Sequence, residues 1–195
     1  MKIYIDGQER TDIICDGEAP SILSEVKRRA LDAGSVVTEI RLDDVVMDEQ
    51  AFSNVSGGLV AHFTLRSVHD LIMETLDEAV KYTPRLTRGL EEIALHFEKN
   101  EIPAGEGKLA DGAEGLDWLL QVYQKCNSLL AVNDNYGDVG VISGTLTECI
   151  SSLGAYHSEK EYLQMAFCIR QKLVPEIEKL MVHVQRLRDL ASSTQ

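Results

Sequence analysis

Few of the side chains that carry catalysis or hold metals stand at spacings that chemistry can use. Glu92 and His96 lie four residues apart, which places both on one face of a helix. A di-iron centre in a helical bundle needs two Glu-x-x-His motifs facing inward from separate helices, and the chain has no matching second pair. Glu92 and His96 therefore read as a solvated helix pair. His62, His69, His157 and His183 are scattered and form neither a triad nor a ligand set. Asn133-Asp134-Asn135-Tyr136-Gly137-Asp138 has the flavour of a calcium loop. An EF-hand places Gly at the sixth position and Glu at the twelfth, where this stretch, counted from Asn133, holds Asp138 and Gly144. It reads instead as an Asn/Gly turn between helices. Cys15, Cys126, Cys149 and Cys168 are far apart, with no CxxC pair and no Cys/His set of zinc-site spacing. Three of them fall on apolar helical stripes, so small buried hydrophobes with free thiols are expected. No phosphate-cradling glycine motif or nucleophile elbow stands in the context it requires. The pattern implies no catalytic residue, no metal and no cofactor.

The chain has 195 residues, with 19 Lys+Arg against 32 Asp+Glu and a formal charge of -13. The excess acid is spread over the chain: residues 1–66 hold 7 basic and 12 acidic groups, and residues 67–195 hold 12 and 20. Such a surface repels phosphate backbones and anionic lipid heads. Neither nucleic acid nor a membrane surface is expected as a partner. Lys27-Arg28-Arg29 is one short basic cluster beside many acids, and it reads as a solvated face or an intramolecular contact. The opening Met1-Lys2-Ile3-Tyr4-Ile5-Asp6 alternates instead of forming a leader's apolar run, and no apolar run approaches the ~20 residues that span a bilayer. A cytoplasmic location follows as an expectation.

The elements that must position these residues fall into two parts with different periods. Up to Arg66 the apolar period is near two. Ile3 and Ile5 alternate with polar neighbours, Asp6-Gly7 is a turn, and Thr11 to Cys15 resumes a strand-like run. A helix is expected from about Ser21 to Ala33, opened by Pro20 and stopped by Gly34. Val36 to Leu42 and Val45 to Met47 read as strands about an Asp43-Asp44 turn, and Leu59 to Leu65 as a last strand after Gly57-Gly58.

After Ser67 the spacing becomes that of long helices. Ile72, Leu76, Ala79, Thr83, Leu86, Leu90, Ile93 and Phe97 alternate steps of four and three, with Pro84 expected to kink or split the helix. Asn100 to Gly107 reads as a loop and Lys108 to Val132 as a second helix. A third, shorter helix carries Ile142 to Leu153. Ser158 with Glu161 reads as a capping box for a fourth helix, whose stripe runs from Tyr162 to Leu187 past Pro175. The first and last helices would reach about 45–50 Å and the third only about 25 Å. That mismatch leaves apolar stripe to be covered, by the N-terminal part or by a second copy of the chain.

Strand, strand, helix, strand, short strand, strand in the first 66 residues resembles the ubiquitin-like β-grasp topology in element order and length. A ubiquitin-like carrier acts through a free Gly-Gly carboxyl terminus, but Gly57-Gly58 is internal and leads into a strand, so no carrier role transfers. The expected architecture is α+β: a β-grasp-like (ββαββ) module over 1–66 and an antiparallel bundle of about four helices over 67–195. The function expected is that of a non-catalytic interaction protein, an adaptor, regulator or chaperone-like scaffold with a protein partner or a homodimeric twin. Small acidic helical proteins such as the flagellar export chaperones are similar in size and charge. The alternative is a small enzyme or ligand-binding protein with a pocket where the two parts meet, for which His62, His69, Tyr82, Arg85 and Arg88 are the candidate ligand-binding groups.

Overall fold

The computed structural model describes residues 1–13, 18–130 and 139–193. The chain is mixed α+β, a five-stranded sheet followed by helices, and it divides into two compact units, Met1–Leu71 and Ile72–Gln195.

In the first unit, β1 (Lys2–Ile5) and β2 (Gln8–Glu9) form a hairpin. Asp6 and Gly7 both have positive φ, 49° and 77°, the turn geometry that matches the right-handed twist of paired strands. α1 (Ala19–Asp32) opens with Pro20 and ends at Gly34, whose φ is 66°. β3 (Ser35–Leu42) and β4 (Val45–Met47) pair about Asp43 and Asp44, which also sit at positive φ. The Asp43 carboxylate accepts the amides of Leu59 and Val60, at 3.1 and 2.8 Å, which holds the strained turn in place. β5 (Val60–Ser67) completes the order β2-β1-β5-β3-β4, with β1 parallel to β5 and the other neighbours antiparallel. Ile22, Leu23 and Val26 of α1 join Ile3, Ile5, Ile40, Ala61 and Phe63 of the sheet in one core.

Two details depart from the sequence expectation. A short helix, α2 (Glu49–Ser53), follows β4, with Asp48 accepting the Ala51 amide at 2.7 Å as its cap. It brings Phe52 edge-on to Phe63, ring centres 5.4 Å apart. The strand expected over Thr11 to Cys15 is not formed at Thr11, Asp12 and Ile13, while Ile14 and Cys15 lie outside the described residues. Arg29 takes up Asp12 instead, through the carboxylate and the backbone carbonyl, and Ile13 is buried.

The basic cluster is an intramolecular network. Glu25 accepts Arg28 at 2.8 Å and Arg29 at 2.6 Å, and these two guanidinium groups hold its carboxyl down to about 2 from 4.5. A depressed carboxylate contributes stability above its unfolded value and loses it as pH falls through the folded one. Carbon-detected NMR titration should find Glu25 still ionised at pH 3, and Glu25→Gln should flatten the acid limb of stability between about pH 4.5 and 2.

In the second unit, α3 (Val68–Glu98) begins in the last residues of the first unit and spans about 46 Å. It is followed by α4 (Ile102–Leu129) and α5 (Val139–Glu159). α6 (Tyr162–Cys168) passes through a π-helical turn, Ile169–Leu173, into α7 (Val174–Ser193). Pro84 does not split α3: the ring lies on the exposed side, and buried Thr83 donates to Ala79 O at 2.8 Å on the other. The loop expected over Asn100 to Gly107 is shorter. Asn100 at φ 59° ends α3, the Glu101 amide donates back to His96 O at 2.8 Å, and Pro103 sits in the first turn of α4, where its missing amide is not needed.

The same closure recurs at Lys160, with Glu161 N donating to Tyr156 O at 2.8 Å. Ser158 is therefore inside α5, donating to Gly154 O, and caps nothing. α5, at 21 residues, is also longer than the sequence suggested, which narrows the length mismatch. The Asn133 to Asp138 stretch lies outside the described residues.

Glycines set the spacing of α4 against α3. A Cβ on Gly105 would lie 2.4 Å from Phe97 Cε1, on Gly112 3.2 Å from Ile93 Cδ1, and on Gly115 2.1 Å from the Tyr82 hydroxyl. Phe97 is fully buried and has nowhere to go. Gly105→Ala should therefore destabilise the protein by about 1–3 kcal/mol through overpacking. Gly107→Ala, with nothing within 4 Å, should stabilise it by up to about 1 kcal/mol through helix propensity. Denaturant unfolding of the two variants checks this opposition in sign.

Candidate functional site

Helical spacing places Glu78, Lys81, Tyr82 and Arg85 of α3 on adjoining turns, and Asp111, Glu114, Gly115 and Trp118 of α4 run back alongside them. Together they line an open groove of about 580 Å³. Its centre is an edge-to-face pair, Tyr82 and Trp118, with ring centres 5.2 Å apart at 81°, a contact worth about 0.5–1.5 kcal/mol beyond its buried area. Arg85 stands 5.9 Å over the Tyr82 ring, within reach of a cation–π attraction. Gly115 lets this happen, because any side chain there would meet the Tyr82 hydroxyl. Glu78, Lys81, Asp111 and Glu114 complete the rim, and among the described residues none of them joins an ion pair, in contrast to the Glu92–Lys108, Glu98–Arg170 and Asp77–Arg188 pairs elsewhere on this unit.

Of the five candidates from sequence, Tyr82 and Arg85 meet in this groove. Arg88 is exposed further along α3 and exerts only a minor pull on Glu92. His62 and His69 belong to the first unit. His62 is stacked on Tyr4, ring centres 4.8 Å apart, in a row of partners that crosses all five strands from Glu9 through Tyr4, His62 and Arg41 to Val46. His69 lies 3.7 Å from Asp70. Trp118 was not singled out from sequence, although as the only tryptophan of the chain, three residues past Gly115 on the same helix, it carried a signal.

The other residues with chemical potential are engaged elsewhere. Glu92 bonds Lys108 and His96 bonds Glu101, each at 2.7 Å, and not one another. Among the described residues no group of His, Cys, Asp and Glu is arranged to hold a metal ion, and no helix is long and apolar enough to cross a membrane. Cys126, Cys149 and Cys168 are buried free thiols. Burial pushes all three above the usual thiol range, and Cys168 Sγ lies 4.0 Å from Cys149 O.

The fold and the groove define an α+β protein whose helical unit carries an aromatic cleft. The family model of a domain of unknown function, DUF8042, matches residues 74–183, more than half of the chain and the whole of this groove, and the chain belongs to that family. No curated protein and no solved structure matches it.

Since the thiolate is the reactive species, Cys126, Cys149 and Cys168 should be modified by a thiol reagent at neutral pH only as fast as the helical unit opens. Mass spectrometry of the labelled sites, with and without denaturant, reads this out; rapid labelling of the native protein at these three positions would contradict it.

Proposed function

We propose that this is a non-catalytic interaction protein, an adaptor, regulator or chaperone-like scaffold, which holds a partner protein in the α3–α4 groove beside Tyr82 and Trp118. The observation that carries this reading is the groove itself. An open cleft with two half-buried aromatic rings at its centre and charged groups of both signs on its rim suits a peptide segment with one anchoring side chain. Tyrosine, tryptophan and arginine are the residue types that most often dominate binding energy at such surfaces. The sparse spacing of nucleophiles and bases along the sequence supports the same view.

The finer architecture belongs to this reading. The strand order, with β1 parallel to β5 and α1 over one face, supports a β-grasp-like first unit. The glycine contacts of α4 on α3 and the Asp77–Arg188 and Glu98–Arg170 pairs of α3 with the last helix support an antiparallel bundle of about four helices. Avoidance of nucleic acid and of anionic membrane surfaces accords with a charge of -13, and a cytoplasmic setting and a protein partner or second copy belong to the same proposal.

Affinity capture with the full chain tests the proposal. The wild type should retain a specific partner that Trp118→Ala and Arg85→Glu each release, with affinity lowered about tenfold or more, as for truncation of an anchoring residue. Glu178→Lys, on the exposed side of α7, should bind as the wild type does. Partners retained equally by both groove variants would refute the reading.

A further inference from the structure

The charges that flank the α3–α4 groove follow helical spacing and oppose one another in sign. Glu78, Lys81, Arg85 and Arg88 succeed each other on α3 at steps of three and four, which sets them along one side of that helix. Asp111, Glu114, Trp118, Gln121 and Lys125 do the same on α4. The charged members of both stripes are exposed, and among the described residues none of them joins an ion pair. The contact of Tyr82 with Trp118, the place of Gly115 beside Leu86 and the pair Glu92–Lys108 fix the levels at which the two antiparallel helices run. Arg85 and Arg88 therefore lie level with Glu114 and Asp111, Lys81 with Trp118, and Glu78 within a turn of Lys125. Along α3 the order is acid and then base; along α4, at the same levels, it is base and then acid.

We propose that the groove is covered by a second copy of this chain, related to the first by a two-fold axis that runs along the cleft, parallel to α3 and α4. This rests on the reading of the groove as a docking surface and names its occupant. Such an axis exchanges the two helices and keeps every level, so α3 of one copy lies on α4 of the other. Arg85 and Arg88 then face Glu114 and Asp111 across the interface, Glu78 faces Lys125, and Lys81 comes over the indole of Trp118, where a cation is attracted to the ring. A two-fold axis across the helices would instead set α3 on α3 and α4 on α4, base against base and acid against acid. The wider surface of the chain repels its own copy, with 19 bases against 32 acids. The two stripes hold four bases, Lys81, Arg85, Arg88 and Lys125, against three acids. Here alone along α3 and α4 does the sequence offer a twin charges of the sign it lacks.

Analytical ultracentrifugation of the full chain over a series of concentrations tests this. The wild type should dimerise reversibly, and raising the salt from about 50 to 500 mM should weaken the dimer by screening these charges. Arg85→Glu and Glu114→Arg should each weaken it about tenfold or more, since each sets like charges face to face twice per dimer. An equimolar mixture of the two variants should recover the dimer, because every reversed residue then meets its opposite on the other chain. A variant that had merely misfolded could not give that recovery. Trp118, the only tryptophan, should become less open to a soluble quencher as the dimer forms. The inference falls if the chain stays monomeric up to about 1 mM, if neither reversal weakens the dimer, or if the mixture does not recover it. A monomer that still retains a foreign protein, released by Arg85→Glu, would overturn the second copy and leave the reading of the groove standing.

Discussion

The helical unit depends on how closely α4 can approach α3. Gly105, Gly112 and Gly115 face α3 at the levels of Phe97, Ile93 and Tyr82. Each removes a Cβ that would otherwise push the two helix axes apart. In an isolated helix these residues would be a liability of roughly 1 kcal/mol each, and tertiary contact reverses the balance. Buried Phe97 then packs against Gly105 at the closed end of the helical hairpin, beside the turn, and Tyr82 reaches the indole of Trp118 near its middle. The aromatic groove is thus a by-product of the spacing that closes the core. Bulk at position 115 would displace Tyr82, and with it the ring beneath Arg85.

A second constraint lies in the last helix. The apolar stripe through Ile169, Leu173 and Ile177 takes two steps of four in succession, one residue more than a heptad allows. The π-helical turn Ile169–Leu173 holds that residue, with Val174 N donating to Ile169 O five positions back. Ile169, Leu173, Ile177 and Leu180 are all buried as a result. Pro175 follows directly on this widened turn, where the displaced bonding pattern relaxes the demand for the amide that proline lacks.

Much of the fold was legible because it is periodic. Alternation at Ile3 and Ile5, the Asp6-Gly7 turn, the Gly34 stop and the stripe from Ile72 to Phe97 are local signals, and each has its counterpart in the structure. What misled was residue type read without its neighbours. Gly105 and Gly107 resemble a loop until Phe97 is known to lie against the first of them. Ser158 and Glu161 satisfy the spacing of a capping box, but the left-handed Lys160 ends α5 between them. The double step of four at Ile169 was visible in the sequence, and only its meaning was missing. Tyr82 and Arg85 were named from sequence for a different place, a pocket where the two parts of the chain meet. That they line a groove with Trp118 depends on the antiparallel pairing of α3 and α4, which no local pattern encodes.

The ion pairs that bind the last helix to α3 join residues far apart in sequence: Glu98 with Arg170, separated by 72, and Asp77 with Arg188, separated by 111. Contacts of that separation form late, since a long loop must close before they return anything. During synthesis from the N-terminus α3 is complete long before α7 leaves the ribosome. The α3–α4 hairpin, held by neighbours in sequence, has to persist in that interval with one apolar flank uncovered. The acidic residues distributed along α3 and α4 lend that unfinished intermediate a solubility that the finished core no longer needs.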